Sequence, residues 1–262
     1  MDRMEEELLA FLNSHGSCRK FTGREISEEQ ERLIAATAQR SPTSSNLQAY
    51  SIVAVRDRGR KARLAELAGN QAHVAACPLF LVFCADLHRL SRLNEARGYP
   101  FHGGDLELLL VATGDAALAA GRALLAAQAM GFGGVMVGGV RNHPADVCDL
   151  LGLPRLVSPV MGMSLGEPAE PPKVKPRLPL AAVLFREEYS DRDFDLAVAE
   201  YDDTLDRLGY LRARPVEPER YPGFSGRYTW SEHTARRLAS EDPQVRRPHL
   251  EAFLRERGLL RS

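Results

Sequence analysis

Apolar residues recur along this chain in two rhythms, a helical one near three and a half residues and runs of β-branched residues, and the alternation predicts a mixture of helices and strands. A short helix opens the chain. Ser27 followed three residues later by Gln30 has the spacing of a capping box, so a second helix starts there and runs to about Gln39. It breaks at Ser41-Pro42-Thr43-Ser44-Ser45-Asn46, a hydroxyl-rich loop. Tyr50 to Val55 then reads as a strand, Lys61 to Gly69 as an amphipathic helix, and the uninterrupted apolar run Leu79 to Cys84 as the centre of a buried sheet.

Thr113 to Met130, rich in Ala and Leu, predicts a long buried helix ended by Gly131-Phe132-Gly133-Gly134. Val135 to Val140 reads as a short strand opening into a glycine turn, Asn142 to Leu151 as a helix, and Leu156 to Leu165 as a further strand. From Gly166-Glu167-Pro168 to Pro179 the chain is Pro-rich and extended. Phe194, Val198, Tyr201, Leu205 and Leu208 then return at helical spacing. A Pro-, Arg- and Tyr-rich loop follows from Arg212 to Tyr228, and a helix from about Pro248 to Arg257 is the last element. Helices and strands lack a regular βαβ alternation, which favours an α+β fold over a doubly wound sheet. Residues 1–262 read as a single domain, with 168–228 as an excursion and mobile loop within it.

Charge narrows the function. The 262 residues carry 34 Lys and Arg against 35 Asp and Glu, which gives no electrostatic case for nucleic acid or an anionic membrane as partner. The acidic start lacks the features of a secretory signal, and the apolar runs are too short or too interrupted to span a bilayer. A soluble, cytoplasmic protein is expected. Cys18, Cys77, Cys84 and Cys148 show no CxxC spacing, and the histidines are scattered, so reduced thiols and no metal site are expected. No nucleophile elbow or HExxH helix is present. Reactivity is therefore expected to come from a cofactor.

Two alternating clusters carry the candidate chemistry. In an extended backbone, residues two apart share a face, so His15, Ser17 and Arg19 converge, as do Lys175 and Arg177 around Pro176. Arg offers a planar fork and Lys a compact charge, the pair suited to phosphate oxygens; two solvated basic stretches are the alternative. Gly133-Gly134 and Gly138-Gly139 flank a short strand where backbone N–H groups can approach a flat or anionic ligand, or simply turn the chain. Thr43, Ser44 and Ser45 suit phosphate or sugar hydroxyls and equally suit a helix cap.

Taken in order, His15-Gly16-Ser17-Cys18-Arg19-Lys20-Phe21-Thr22, Ser41-Pro42-Thr43-Ser44-Ser45-Asn46-Leu47-Gln48, Gly69-Asn70-Gln71-Ala72-His73-Val74, Gly133-Gly134-Val135-Met136-Val137-Gly138-Gly139-Val140-Arg141-Asn142 and Lys175-Pro176-Arg177-Leu178-Pro179 resemble the nitroreductase superfamily. Within it, they resemble the oxygen-insensitive NADPH nitroreductase and NADPH-flavin oxidoreductase group. The likeness covers nearly the whole chain, including Thr229-Trp230-Ser231-Glu232-His233.

This resemblance implies a central, mostly antiparallel sheet flanked by helices, and a homodimer with one FMN per subunit at the interface. The C-terminal excursion would embrace the partner. His15, Ser17, Lys175 and Arg177 would hold the FMN phosphate and its approach, and Arg19 would lie near the pyrimidine edge and tune the flavin. Thr43, Ser45 and Leu47 would line the ribityl and ring pocket. Gln71 would bond the pyrimidine edge, and Met136, Val137, Gly138 and Gly139 would pass beside the ring. The implied reaction is ping-pong, from NADPH, with NADH open as an alternative, to nitroaromatics, quinones or flavins. A supplier of free reduced flavin and a flavin-binding protein without turnover are the rival expectations. Gly16, Pro42 and Asn46 depart from residues common in relatives and alter the pocket's shape. Arg227, Arg220 or Arg214, in a loop unlike that of relatives, would meet the 2′-phosphate of NADPH.

Overall fold

The computed structural model describes residues 2–212, 220, 221, 224 and 226–261. Among these, Tyr50–Val55 (β1), Leu79–Asp86 (β2), Gly133–Val137 (β3) and Val157–Gly166 (β4) form an antiparallel sheet in the order β1-β2-β4-β3. All eight residues of β2 are buried, because the sheet is covered on both faces. Leu79, Leu81 and Phe83 point into one core layer, and Phe80, Val82 and Cys84 into the other.

Helices supply the covers. The chain runs through Arg3–Asn13 (α1), Glu28–Ala38 (α2), Arg58–Leu67 (α3), Ala72–Ala76 (α4), His88–Ala96 (α5), Leu106–Ala129 (α6) and Pro144–Leu151 (α7). It continues through Phe194–Arg207 (α8), Trp230–Ala239 (α9), Pro243–Arg246 (α10) and His249–Glu256 (α11). Ile34 and Ala38 of α2, with the alanine-rich stripe of α6 from Ala116 to Ala127, line the first layer. Leu64 and Leu67 of α3, Val74 of α4 and Val147 of α7 line the second. The described residues divide into two compact units, 1–174 with 247–262, and 175–246.

The capping box is present in both halves, with Gln30 N–H on Ser27 Oγ at 3.1 Å and Ser27 N–H on Gln30 Oε1 at 2.9 Å. Three boundaries move for local reasons. The long helix begins at Leu106 rather than Thr113, because Asp105 caps it by accepting from Leu108 N–H at 2.8 Å. The helix expected from Lys61 begins at Arg58, where Asp57 is the cap. The strand expected to reach Val140 stops at Val137 and gives way to a 3₁₀ turn, Gly138–Arg141. Helices α4, α5, α9 and α10 also form outside the expected set. Neither α4 nor α5 has a side-chain N-cap, so no start signal marks them, whereas Thr229 caps α9.

Helix α6 is long and apolar enough to cross a membrane by length and composition, but its alanine stripe packs on the sheet. Its other side exposes Leu106, Leu110, Leu118 and Leu125, and a Cβ added at Gly114 or Gly121 on the same helix would meet open space.

Candidate active site

The His15 segment is held extended along the sheet edge. Cys18 N–H bonds Gly134 O at 3.0 Å, Thr22 N–H bonds Glu167 O at 3.0 Å, and Ala169 N–H bonds Lys20 O at 3.0 Å. This pairing enforces the alternation that the sequence suggests: Gly16 and Cys18 are buried, His15 and Ser17 are half-buried, and Arg19 is exposed. From α6, Gln128 Nε2 donates to His15 Nδ1 at 3.2 Å. Gly16 has a local cause, since a Cβ there would lie 2.7 Å from Lys173 O and 2.8 Å from Pro172 Cβ. The segment that leads to Lys175 thus packs directly on the His15 segment's backbone.

A second group converges beside it. Gln71 Nε2 donates to Ala68 O at 2.8 Å, its Oε1 lies 2.9 Å from His73 Nε2, and His73 Nδ1 lies 3.0 Å from Ser164 Oγ on β4. Burial, and then the charge of Arg19, holds the His73 imidazole below the usual histidine range. Its neutral form is therefore the folded form. Arg19 itself makes no hydrogen bond or ion pair with any described residue, although its field reaches His73 and Cys18.

Because the folded state binds the His73 proton more weakly than the unfolded chain, this group's contribution to stability is full above about pH 6.5 and is lost as pH falls through its folded pKa. Urea midpoints of wild type and His73→Gln between pH 7.5 and 5 check this. The difference between the two is expected to change over that window.

The glycine turn closes this side. A Cβ on Gly139 would sit 2.3 Å from Ala68 O and 2.7 Å from Gln71 Nε2, so glycine there lets the turn pack on the residues that position Gln71. Gly138 has only the Arg141 side chain nearby, at 3.4 Å, and leaves space. Met136 is 36% exposed while the rest of β3 is buried. Gly139→Ala is expected to push Gln71 and the Ala68 backbone off the turn and to destabilise the fold, read by the urea midpoint. Gly138→Ala is expected to have a smaller effect.

The hydroxyl loop is held elsewhere on the same helix. Buried Asp115 of α6 accepts from Ser44 N–H at 3.1 Å through one oxygen and from Ala49 N–H at 3.0 Å through the other. Between these anchors Ser45, Asn46 and Gln48 all take positive φ, at 49°, 56° and 52°. Such strain persists only where the surroundings enforce it and clusters at ligand sites. Asp115 and Gln128 are thirteen residues apart, roughly 20 Å along a helix axis. A single chain thus brings His15, Ser17, Arg19, Gln71 and Met136 to Gly139 around one sheet edge, while Thr43, Ser45 and Leu47 sit at a different level of α6.

Lys175, Arg177 and Arg227 belong to the second unit. Lys175 Nζ lies 4.8 Å from the centre of the Tyr210 ring, and Tyr201 Oη donates to Pro176 O at 3.1 Å. Arg177 donates to the carbonyls of Lys175 and Pro176 at 2.9 and 3.2 Å, which spends one nitrogen on its own loop. Arg227 pairs with Asp203 at 2.6 Å and Asp206 at 3.2 Å, both on α8. Behind it, the Arg236 guanidinium of α9 stacks on Tyr221, Phe224 and Tyr228 at 3.9 to 5.0 Å from their ring centres. Arg220 lies over Tyr221, and Arg214 falls outside the described residues.

Sequence reasoning assigned no role to Asp115, His73 or Ser164. Their signal is three-dimensional: each becomes visible only through the backbone or side chain it holds.

The Nitroreductase family model matches residues 12–167, and the model of the Nitroreductase family, C-terminal domain, matches 175–262. The chain belongs to the nitroreductase family. It is 38% identical to the NADPH-flavin oxidoreductase of Vibrio harveyi over 259 residues, covering 99% of each chain. It is 36% identical to the oxygen-insensitive NADPH nitroreductase of Salmonella typhimurium, covering 95% of this chain and 97% of that protein. The solved structure of the Vibrio harveyi NADPH:FMN oxidoreductase complexed with NAD+ superposes with a TM-score of 0.83 at 35% identity, over 97% of this chain and 99% of that one. The antiparallel sheet between helical layers is this family's fold, as the sequence motifs imply.

Proposed function

We propose that the chain is an FMN-dependent oxidoreductase that takes electrons from NADPH and passes them by a ping-pong mechanism to nitroaromatics, quinones or flavins. The observation that carries this is Arg19, a cation at the sheet edge that makes no hydrogen bond or ion pair among the described residues and whose charge reaches His73, the partner of Gln71, in a family frame matched along nearly the whole chain. Those groups fit a flat, anionic cofactor: an exposed Met136 beside an open Gly138, a half-buried amide, and a guanidinium without a carboxylate partner among the described residues. When bound, FMN would supply two-electron acceptance and donation. His15 and Ser17 would hold its phosphate end, with Lys175 and Arg177 assigned the same group on the resemblance. Arg19 would stabilise the negative charge that develops near the pyrimidine edge.

A second copy of the chain completes this reading. The hydroxyl loop and the His15 segment occupy different levels of α6, and the apolar outer face of that helix is open. A concavity of about 620 Å³ lined by Thr37, Pro42, Leu118, Gly121 and Leu125 lies on that face, next to the hydroxyl loop. A homodimer would bury this stripe and bring Thr43, Ser45 and Leu47 to the partner's cofactor. Leu118→Arg is expected to produce monomers, read by sedimentation, and to lower FMN retention in parallel.

Arg227 is the assigned contact for the 2′-phosphate of NADPH, and its pairing with Asp203 and Asp206 supplies a parked position that the phosphate must outcompete. The cytoplasm, which holds NADPH and keeps thiols reduced, suits the four free cysteines. Steady-state turnover with a nitroarene, a quinone and free FMN as competing acceptors tests the assignment. Reduction of the nitroarene or quinone at rates above free FMN supports it, whereas turnover of free FMN alone assigns the chain to supply of reduced flavin.

A further inference from the structure

We propose that His73 is a positioning residue that fixes Gln71 as a hydrogen-bond donor toward the acceptor atoms of the flavin pyrimidine edge. The inference rests on the FMN reading above and adds the polarity of the contact and the residue that sets it. An amide side chain can present either its oxygen or its nitrogen, and only its partners decide which. Here Gln71 Nε2 donates to Ala68 O at 2.8 Å, which assigns the nitrogen end. The oxygen end then faces His73 Nε2 at 2.9 Å, so that ring nitrogen must carry the proton. His73 Nδ1 is left as the acceptor for the Ser164 hydroxyl at 3.0 Å, and the ring is held neutral by burial and by Arg19. Among the described residues Gln71 keeps one uncommitted N–H, on the nitrogen that faces the Gly139 turn. It can therefore donate to N1 or to a carbonyl oxygen of the flavin pyrimidine, and its oxygen is committed away from N3–H. A donor at that edge strengthens as negative charge grows there, so Gln71 acts alongside Arg19 in favouring the reduced cofactor.

The test compares affinities of apoprotein for oxidised FMN and for dithionite-reduced FMN in wild type, Gln71→Ala, His73→Phe, His73→Gln and Ser164→Ala, with ¹⁵N NMR of the His73 ring in the apoprotein. The expected ring is neutral and protonated at Nε2. His73→Phe and Gln71→Ala are each expected to lower the preference for reduced FMN about tenfold, or about 30 mV in two-electron potential. The double variant should lower it no further, and His73→Gln, which restores a donor, should recover part of it. If Gln71→Ala leaves both affinities at wild-type values, the flavin does not meet Gln71 and the FMN placement itself fails. If Gln71→Ala lowers the preference while folded His73→Phe retains it, only the role of His73 is overturned. Should His73→Phe not fold, Ser164→Ala and the ring tautomer decide: an Nδ1-protonated ring in wild type, or an unchanged preference in Ser164→Ala, overturns the proposal.

Discussion

Arg19→Ala is expected to slow reduction of bound FMN by NADPH about a hundredfold, in line with the loss of one preorganised charge-stabilising group, while changing FMN retention less than about tenfold. The asymmetry follows from position. Arg19 is the exposed member of the alternating segment, makes no ion pair with described residues, and projects its field onto His73 near Gln71. Its charge therefore interacts more strongly with a cofactor that gains negative charge than with one that does not. Arg177→Ala should show the converse, a loss of FMN with near-normal reduction once FMN is supplied in excess. Stopped-flow reduction and ultrafiltration on the two variants separate these effects. Equal reduction rates in Arg19→Ala and wild type would remove Arg19 from the flavin.

Asp115→Ala is expected to cost about 3–5 kcal/mol of stability, the largest effect of any single substitution considered. Two charge-assisted hydrogen bonds are lost, and the Ala49 N–H is left without its partner at a buried position and the Ser44 N–H at a partly buried one. Asp115→Asn should cost less but still more than 1 kcal/mol, because its amide turns a donor toward one of those N–H groups. Urea denaturation measures both. The left-handed conformations at Ser45, Asn46 and Gln48 are bracketed by these two bonds, so the loop should relax before the sheet does. FMN retention in folded Asp115→Asn is expected to fall with it.

The sheet was legible because its signals are local. Tyr50 to Val55 is β-branched, Leu79 to Cys84 has no polar residue, and both appear as strands at nearly the expected bounds. Helix α5 was not legible, since it has no side-chain cap and buries none of its own residues fully. The glycine turn was recognised, with a ligand approach and a simple turn both open, and Gly139 makes room for Ala68 and Gln71 of its own chain. Gly16 reads as a departure in sequence and proves to be a packing requirement set by Pro172 and Lys173, more than 150 positions away. Arg19 was singled out by the alternation of its segment and Gln71 by the resemblance, and their role is the proposal made above. Asp115 and Ser164 were not singled out, because a carboxylate in an alanine-rich helix and a serine in a strand acquire meaning only from the backbone amides and the imidazole they meet.

The central claim is that the Arg19–Gln71 edge holds an FMN that NADPH reduces. Anaerobic mixing of NADPH with the FMN-reconstituted protein, followed at the flavin absorbance maximum, tests it most directly. Full bleaching of one FMN per chain, restored on adding a nitroarene, is the expected result. A stably bound flavin whose absorbance does not change with NADPH would contradict it and leave a flavin-binding protein without turnover.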